Sequence, residues 1–158
     1  MKIYAVRQLM LWSMSFSFAG IAVAGTAPRI EVLRSAEVRS ECGCNFQFTN
    51  GRRQSEFSEN TFLQWDTEDN AQMHIDGKLV QLKARHVRSR MKGVHPAIGD
   101  TDTFRLDGGA IEVIVNCITN QVCAADNDSC ESTAYKAKVL VKTPAGLTAL
   151  NATGACGC

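Results

Sequence analysis

Cys-Gly-Cys occurs twice in this chain, as Cys42-Gly43-Cys44 and again as Cys156-Gly157-Cys158. No other feature limits the fold as much. Residues two apart on a strand face the same side. Opposite residues of an antiparallel pair keep a constant index sum, and 42 with 158 shares its sum with 44 and 156. One register therefore serves two adjacent cross-strand disulfides, and the Cα spacing between neighbouring strands is within disulfide reach. The expected bonds are Cys42–Cys158 and Cys44–Cys156, with the first core strand beside the last. The parallel pairing, Cys42–Cys156 with Cys44–Cys158, satisfies the same spacing. Two other chemistries compete. Four thiolates could hold Zn²⁺ or Cu⁺, although structural zinc sites use a longer spacing than C-x-C. A C-x-C pair could also exchange disulfides, but redox motifs sit at helix N-termini. Here Cys42 and Cys44 share a strand face with Phe46 and Phe48, which predicts burial and structural bonds.

The compartment has to allow this. Lys2 and Arg7 precede an apolar stretch over 9–23, and Ala22-Val23-Ala24 is a small-x-small cleavage site. Residues 1–24 thus read as a signal peptide, and 25–158 as a single β domain, secreted or periplasmic. No segment of the mature chain is apolar enough to span a bilayer as a helix. All seven cysteines survive cleavage. Disulfides are the usual state in an oxidising compartment, and an odd number leaves one thiol over. Cys123 and Cys130 flank a polar loop and are expected to pair. Cys117, in the inward row of Ile111, Val113 and Val115, is expected to be the buried free thiol. Pairing of Cys117 with either neighbour stays open. Loss of Lys2 and Arg7 takes the basic count from 17 to 15 against 16 acids, a mature charge of −1. That balance gives no general argument for nucleic acid or an anionic membrane as partner.

The rest of the chain reads as β. Even positions from Ile30 to Phe48 are mostly apolar and odd ones mostly polar, Leu33 excepted, a period of two that breaks near Ser35 or Ser40. Asp76-Gly77 is a type I′ turn signal that sets Met73 opposite Val80 and Ala71 opposite Leu82. Asp107-Gly108 reads the same way and would set Phe104 opposite Ile111. Pro144-Ala145-Gly146 follows a strand with Tyr135, Ala137, Val139 and Val141 in, and Lys136, Lys138 and Lys142 out. Phe62 to Trp65 is a further strand. Loops are expected over 51–60, 88–103 and 124–132. The fold class is all-β, a small disulfide-stapled antiparallel barrel or sandwich of about eight strands.

Candidate sites are sparse. The run from Lys83 to His95 holds Arg85, Arg88, Arg90 and Lys92, a candidate anion-binding set for phosphate-rich ligands or an acidic protein. No aromatic residue interleaves it, so nucleic acid is an unlikely partner. A solvated strand end is the simpler reading. Asp126, Asp128 and Glu131 miss the calcium-loop spacing. Asn127-Asp128-Ser129 and Asn151-Ala152-Thr153 are glycosylation sequons. His74 and Asp76 are same-face strand neighbours rather than an oriented acid–base pair, and no nucleophile elbow, phosphate loop or His-Glu-x-x-His is present. No catalytic residue, cofactor or resident metal is expected.

One segment order resembles the membrane-bound and periplasmic inhibitors of c-type lysozyme. It comprises a cysteine followed by Phe46 and Phe48, then 71–82 (AQMHIDGKLVQL), then 104–111 (FRLDGGAI). The resemblance implies a small exported antiparallel barrel and, as an alternative function, lysozyme inhibition. The Ser-Gly-x-x-Tyr loop with which that family inhibits is absent, so no inhibitory residue carries over, and the basic run at 83–95 would repel basic lysozyme. The sequence favours an exported, non-enzymatic binding or envelope-associated module for a protein or envelope ligand. Lysozyme inhibition and thiolate metal binding are the alternatives.

Overall fold

The structure is a computed structural model that describes residues 26–39, 42–49, 60–93, 95–123 and 132–158. The expected signal peptide, the 51–59 loop and the 124–131 loop, with the acidic trio, one sequon and Cys130, lie outside the described residues. Nine strands follow in chain order: β1 (Ile30–Glu31), β2 (Gly43–Phe48), β3 (Thr61–Asp66), β4 (Asn70–Ile75), β5 (Lys78–Arg90), β6 (Thr101–Gly108), β7 (Ile111–Gln121), β8 (Ser132–Thr143) and β9 (Gly146–Gly157). Strands β2 to β9 each pair antiparallel with their chain neighbours, and β9 pairs back onto β2. The result is a closed eight-stranded up-and-down barrel, with β1 as an extra strand against β4. Closure removes the free edges that an open sheet would expose.

Turn chemistry explains the hairpins. Asp76 and Gly77 both have positive φ, 52° and 76°, as a type I′ turn requires, and Met73 faces Val80 while Ala71 faces Leu82. The β6–β7 turn differs from the expected one. Gly108 pairs with Ile111, Phe104 pairs with Val115, and Gly109, at φ 66°, takes the turn. Asp107 is kept in the strand by Arg85 and Arg105, each 3.0 Å away. The shift preserves parity, so Phe104 and Leu106 still face in. Pro144-Ala145 links β8 to β9, with Thr143 opposite Gly146.

The interior is apolar. Phe46, Leu63, Met73, Leu106, Val113, Val115, Val139 and Val141 are fully buried. Ring stacking of Phe46 on Trp65, and Trp65 against Phe104, both with centroids 5.2 Å apart, carries the packing across the barrel. Lysines and asparagines point outward from β7 to β9. This is the reverse of a transmembrane barrel, whose lipid face is apolar. Among the described residues, no helix is long and apolar enough to cross a membrane.

The expected strand over the first alternating segment shrinks to two residues. Only Ile75 and His74 of β4 are open to β1, because β3 occupies that edge from Met73 onward. The chain must then cross the outside of the barrel. Leu33 N–H donates to the Thr61 carbonyl at 2.7 Å, Leu33 is buried, and Val32 is 43% exposed, which inverts the expected parity. A turn at 35–37 carries Glu37 over β3 and β4. Gln64 and Gln72 donate their amides to the Glu37 carbonyl, and His74 Nε2 lies 2.9 Å from its carboxylate. This strap explains why β3 and β4 are buried on both faces.

Both terminal disulfides form, as Cys42–Cys158 and Cys44–Cys156, with Cα separations of 4.3 and 4.0 Å. Cys44 and Cys156 are direct partners in the β2–β9 ladder, and Gly43 faces Gly157 between the two bonds. The antiparallel arrangement is thereby selected over the parallel one.

Candidate functional site

The outer face of β5 to β9 carries an extended polar surface. A bulge creates it. His86 pairs with Phe104 but Arg88 pairs with Thr103, so Val87 is an extra residue in β5. Before the bulge, even residues Leu82 and Ala84 point in. After it, Arg88 and Arg90 turn outward beside Thr103 and Thr101. The ladders then extend two rows across five strands. Arg88 faces Thr103, which faces Asn116, then Lys138, then Asn151. In the next row Arg90 faces Thr101, then Ile118, Lys136 and Thr153.

These rows line an open hollow of about 660 Å³. Thr49, just past β2, joins the lining, its hydroxyl donating to the Asn151 carbonyl at 3.1 Å. Thr103 Oγ1 donates to Asn116 Oδ1 at 3.1 Å on the floor. No ion pair among the described residues involves Arg88, Arg90, Lys136 or Lys138. Asp102, the acid at the hollow, lies opposite Cys117 on the inward-facing side and bonds His86 Nε2 at 3.1 Å. The hollow therefore presents four cations with no carboxylate on its outer face. Uncompensated charge in a concave surface attracts anions.

The other candidate residues are placed as follows. Arg85 points outward but is bound to Asp107. Lys92 lies in the β5–β6 loop, where its backbone N–H donates to Asp100 Oδ1 at 3.1 Å; it does not line the hollow. That loop is shorter than expected, because 88–90 and 101–103 belong to strands. Buried Asp100 also accepts from Ala97 N–H at 2.8 Å and so fixes the loop's shape. The sequence reading missed the two threonines, Asn116, Ile118, Lys136, Lys138, Asn151 and Thr153 as site residues. Their outward parity was visible for Lys136 and Lys138, but their alignment with the arginines depends on the bulge.

The remaining chemistry is quiet. Cys42, Cys44, Cys156 and Cys158 are consumed as disulfides, which leaves no thiolate there for a metal. Among the described residues, no group of three His, Cys, Asp or Glu side chains could hold a metal ion. Cys123 is disulfide-bonded, and Cys130, its expected partner, lies outside the described residues. Among the described residues, Cys117 is the free thiol, and it is buried. Burial, with the Asp102 carboxylate adding, pushes that thiol up to about 12. It therefore stays protonated beside the His86–Asp102 pair and is a poor nucleophile.

No protein-family model, curated protein or solved structure matches this chain significantly.

Proposed function

We propose that this protein is an exported, non-enzymatic binding module, secreted or periplasmic, that takes an anionic envelope or extracellular ligand on the outer face of β5 to β9. The observation that carries this reading is the set of four cations, Arg88, Arg90, Lys136 and Lys138, held in two registered rows without a carboxylate partner. Two disulfides at the chain ends support an oxidising compartment. The protonated, buried Cys117 supports a binding role over a catalytic one. The test is retention on an immobilised sulfated polymer at low salt. The native protein should bind and elute as salt screens the charges. The variant R88Q/R90Q/K136Q/K138Q should flow through, whereas R85Q should remain bound. Equal retention of the native and fourfold variant proteins would place the binding elsewhere.

Lysozyme inhibition is a second reading, supported by the closed antiparallel barrel that the sequence resemblance implies. It would have to use a face other than the basic hollow. A cell-wall clearing assay with c-type lysozyme decides it: undiminished clearing at a molar excess of this protein would exclude inhibition.

A further inference from the structure

We infer that the occupant of the hollow is a linear anionic polysaccharide, lying across the strands with its charged groups on the two cation pairs and its sugar hydroxyls on the floor between them. The inference rests on the anion-binding reading above and concerns which anion the surface fits. The arginine pair stands on β5 and the lysine pair on β8. Three strand spacings separate them, about 14 Å. Within each pair the two residues are two apart on one strand, about 7 Å. These are backbone separations, and with the side chains extended from the surface an occupant that covers both pairs is elongated, with charge at intervals.

The floor between the pairs selects the chemistry of the middle. It consists of Thr101, Thr103 and Asn116, with Ile118 at 53% exposure. Hydroxyl and amide groups both donate and accept, which matches sugar hydroxyls and wastes nothing on a continuous row of anions. Ile118 offers an apolar contact to the face of a sugar ring. No aromatic side chain lines the hollow. Single-stranded nucleic acid needs such rings for base stacking. Beyond the lysines, Asn151, Thr153 and Thr49 continue the polar track. The surface is thus open for a chain to run past both pairs, where a terminal head group would need a closed end. Arginine forks at one rim suit the paired oxygens of sulfate, phosphate or carboxylate groups.

Calorimetric titration at low salt tests this with five probes: a heparin-derived hexasaccharide, linear polyphosphate and oligo-dT of matched charge, neutral maltohexaose, and vesicles carrying a bisphosphorylated disaccharide lipid. The hexasaccharide should bind at least ten-fold more tightly than polyphosphate, oligo-dT or the vesicles, and maltohexaose should not bind. The floor variant T103A/N116A should weaken hexasaccharide binding about ten-fold and polyphosphate binding much less, which also controls for folding. Equal affinity for hexasaccharide and polyphosphate would overturn the saccharide assignment and leave the anion site standing. Tighter binding of oligo-dT or of the vesicles would overturn it in favour of nucleic acid or a glycolipid head group. Failure of every anion to bind would remove the anion site as well.

Discussion

At the residue scale, glycine and cysteine chemistry accounts for the features most visible in the sequence. Gly43 sits between the two bonded cysteines of β2 at φ 151°, and a Cβ there would collide with the Trp65 carbonyl. The triplet therefore needs its glycine as much as its cysteines. Gly77 has open space around it but a φ of 76°, so its substitution is a test of backbone strain alone. Gly77→Val should lower the unfolding free energy by about 1–2 kcal/mol, read from denaturant midpoints. An unchanged midpoint would contradict the turn. Cys117 gives a second test. With its thiol pushed up to about 12, it should resist labelling at pH 8 in the native protein and react only after denaturation. Fast native labelling would show that the site is open. The inward position of Cys117 could be read from the alternation of β7. Its place opposite Asp102 could not, because that depends on the β6–β7 register, which differs by four in index sum from the one that Asp107-Gly108 implies as a turn, Asp107 being held in the strand by its ion pairs.

At the element scale, pattern identifies strands, and partners decide how long they run. β8 and β9 follow their alternation, as do β5 up to His86 and β7 up to Thr119, and the type I′ turn fixed the β4–β5 register from two residues. The first alternating segment failed because β4 had only two residues of free edge to offer. The bulge at Val87 was invisible because an inserted residue carries no composition signal, yet it decides where the arginines point. Deleting Val87 removes the extra residue and leaves Arg88 opposite Thr103 and Arg90 opposite Thr101, so binding to the sulfated polymer should be retained. Loss of binding on that deletion would contradict this register. Val87→Ala, which keeps the bulge, should retain binding too. The strap over β3 and β4 gives a pH test. The Arg34 backbone N–H holds the Glu37 carboxyl below its ordinary value of 4.5, against opposing desolvation, and the His74 bond adds to the lowering. A carboxyl lowered in the folded state stabilises above its unfolded value and loses that contribution as pH falls through the folded value. The native melting temperature should therefore decline below pH 4.5 more steeply than that of Glu37→Gln. Parallel profiles would show that the strap contributes nothing through this group.

At the scale of the whole molecule, the two ends of the chain make one seam. The β2–β9 ladder closes the barrel, and Cys42–Cys158 spans a sequence separation of 116. In the chain-entropy model a loop of that size is worth about 4–5 kcal/mol. A nonreducing tryptic map should link the 40–52 peptide to the 143–158 peptide, separating on reduction. The seam also bears on the binding surface, because Asn151 and Thr153 lie on β9 and Thr49 follows β2. Reduction should therefore weaken anion binding along with stability. The matching triplets made the seam legible from sequence through their shared index sum, whereas the hollow, assembled from five strands by their registers, was not. The most direct test of the account is an NMR titration of the oxidised protein with a heparin-derived hexasaccharide. The account predicts amide shifts confined to Arg88, Arg90, 101–103, 116–118, 136–138 and 151–153. Shifts centred on the strap at 33–39 or on the β4–β5 turn, or none at all, would contradict it.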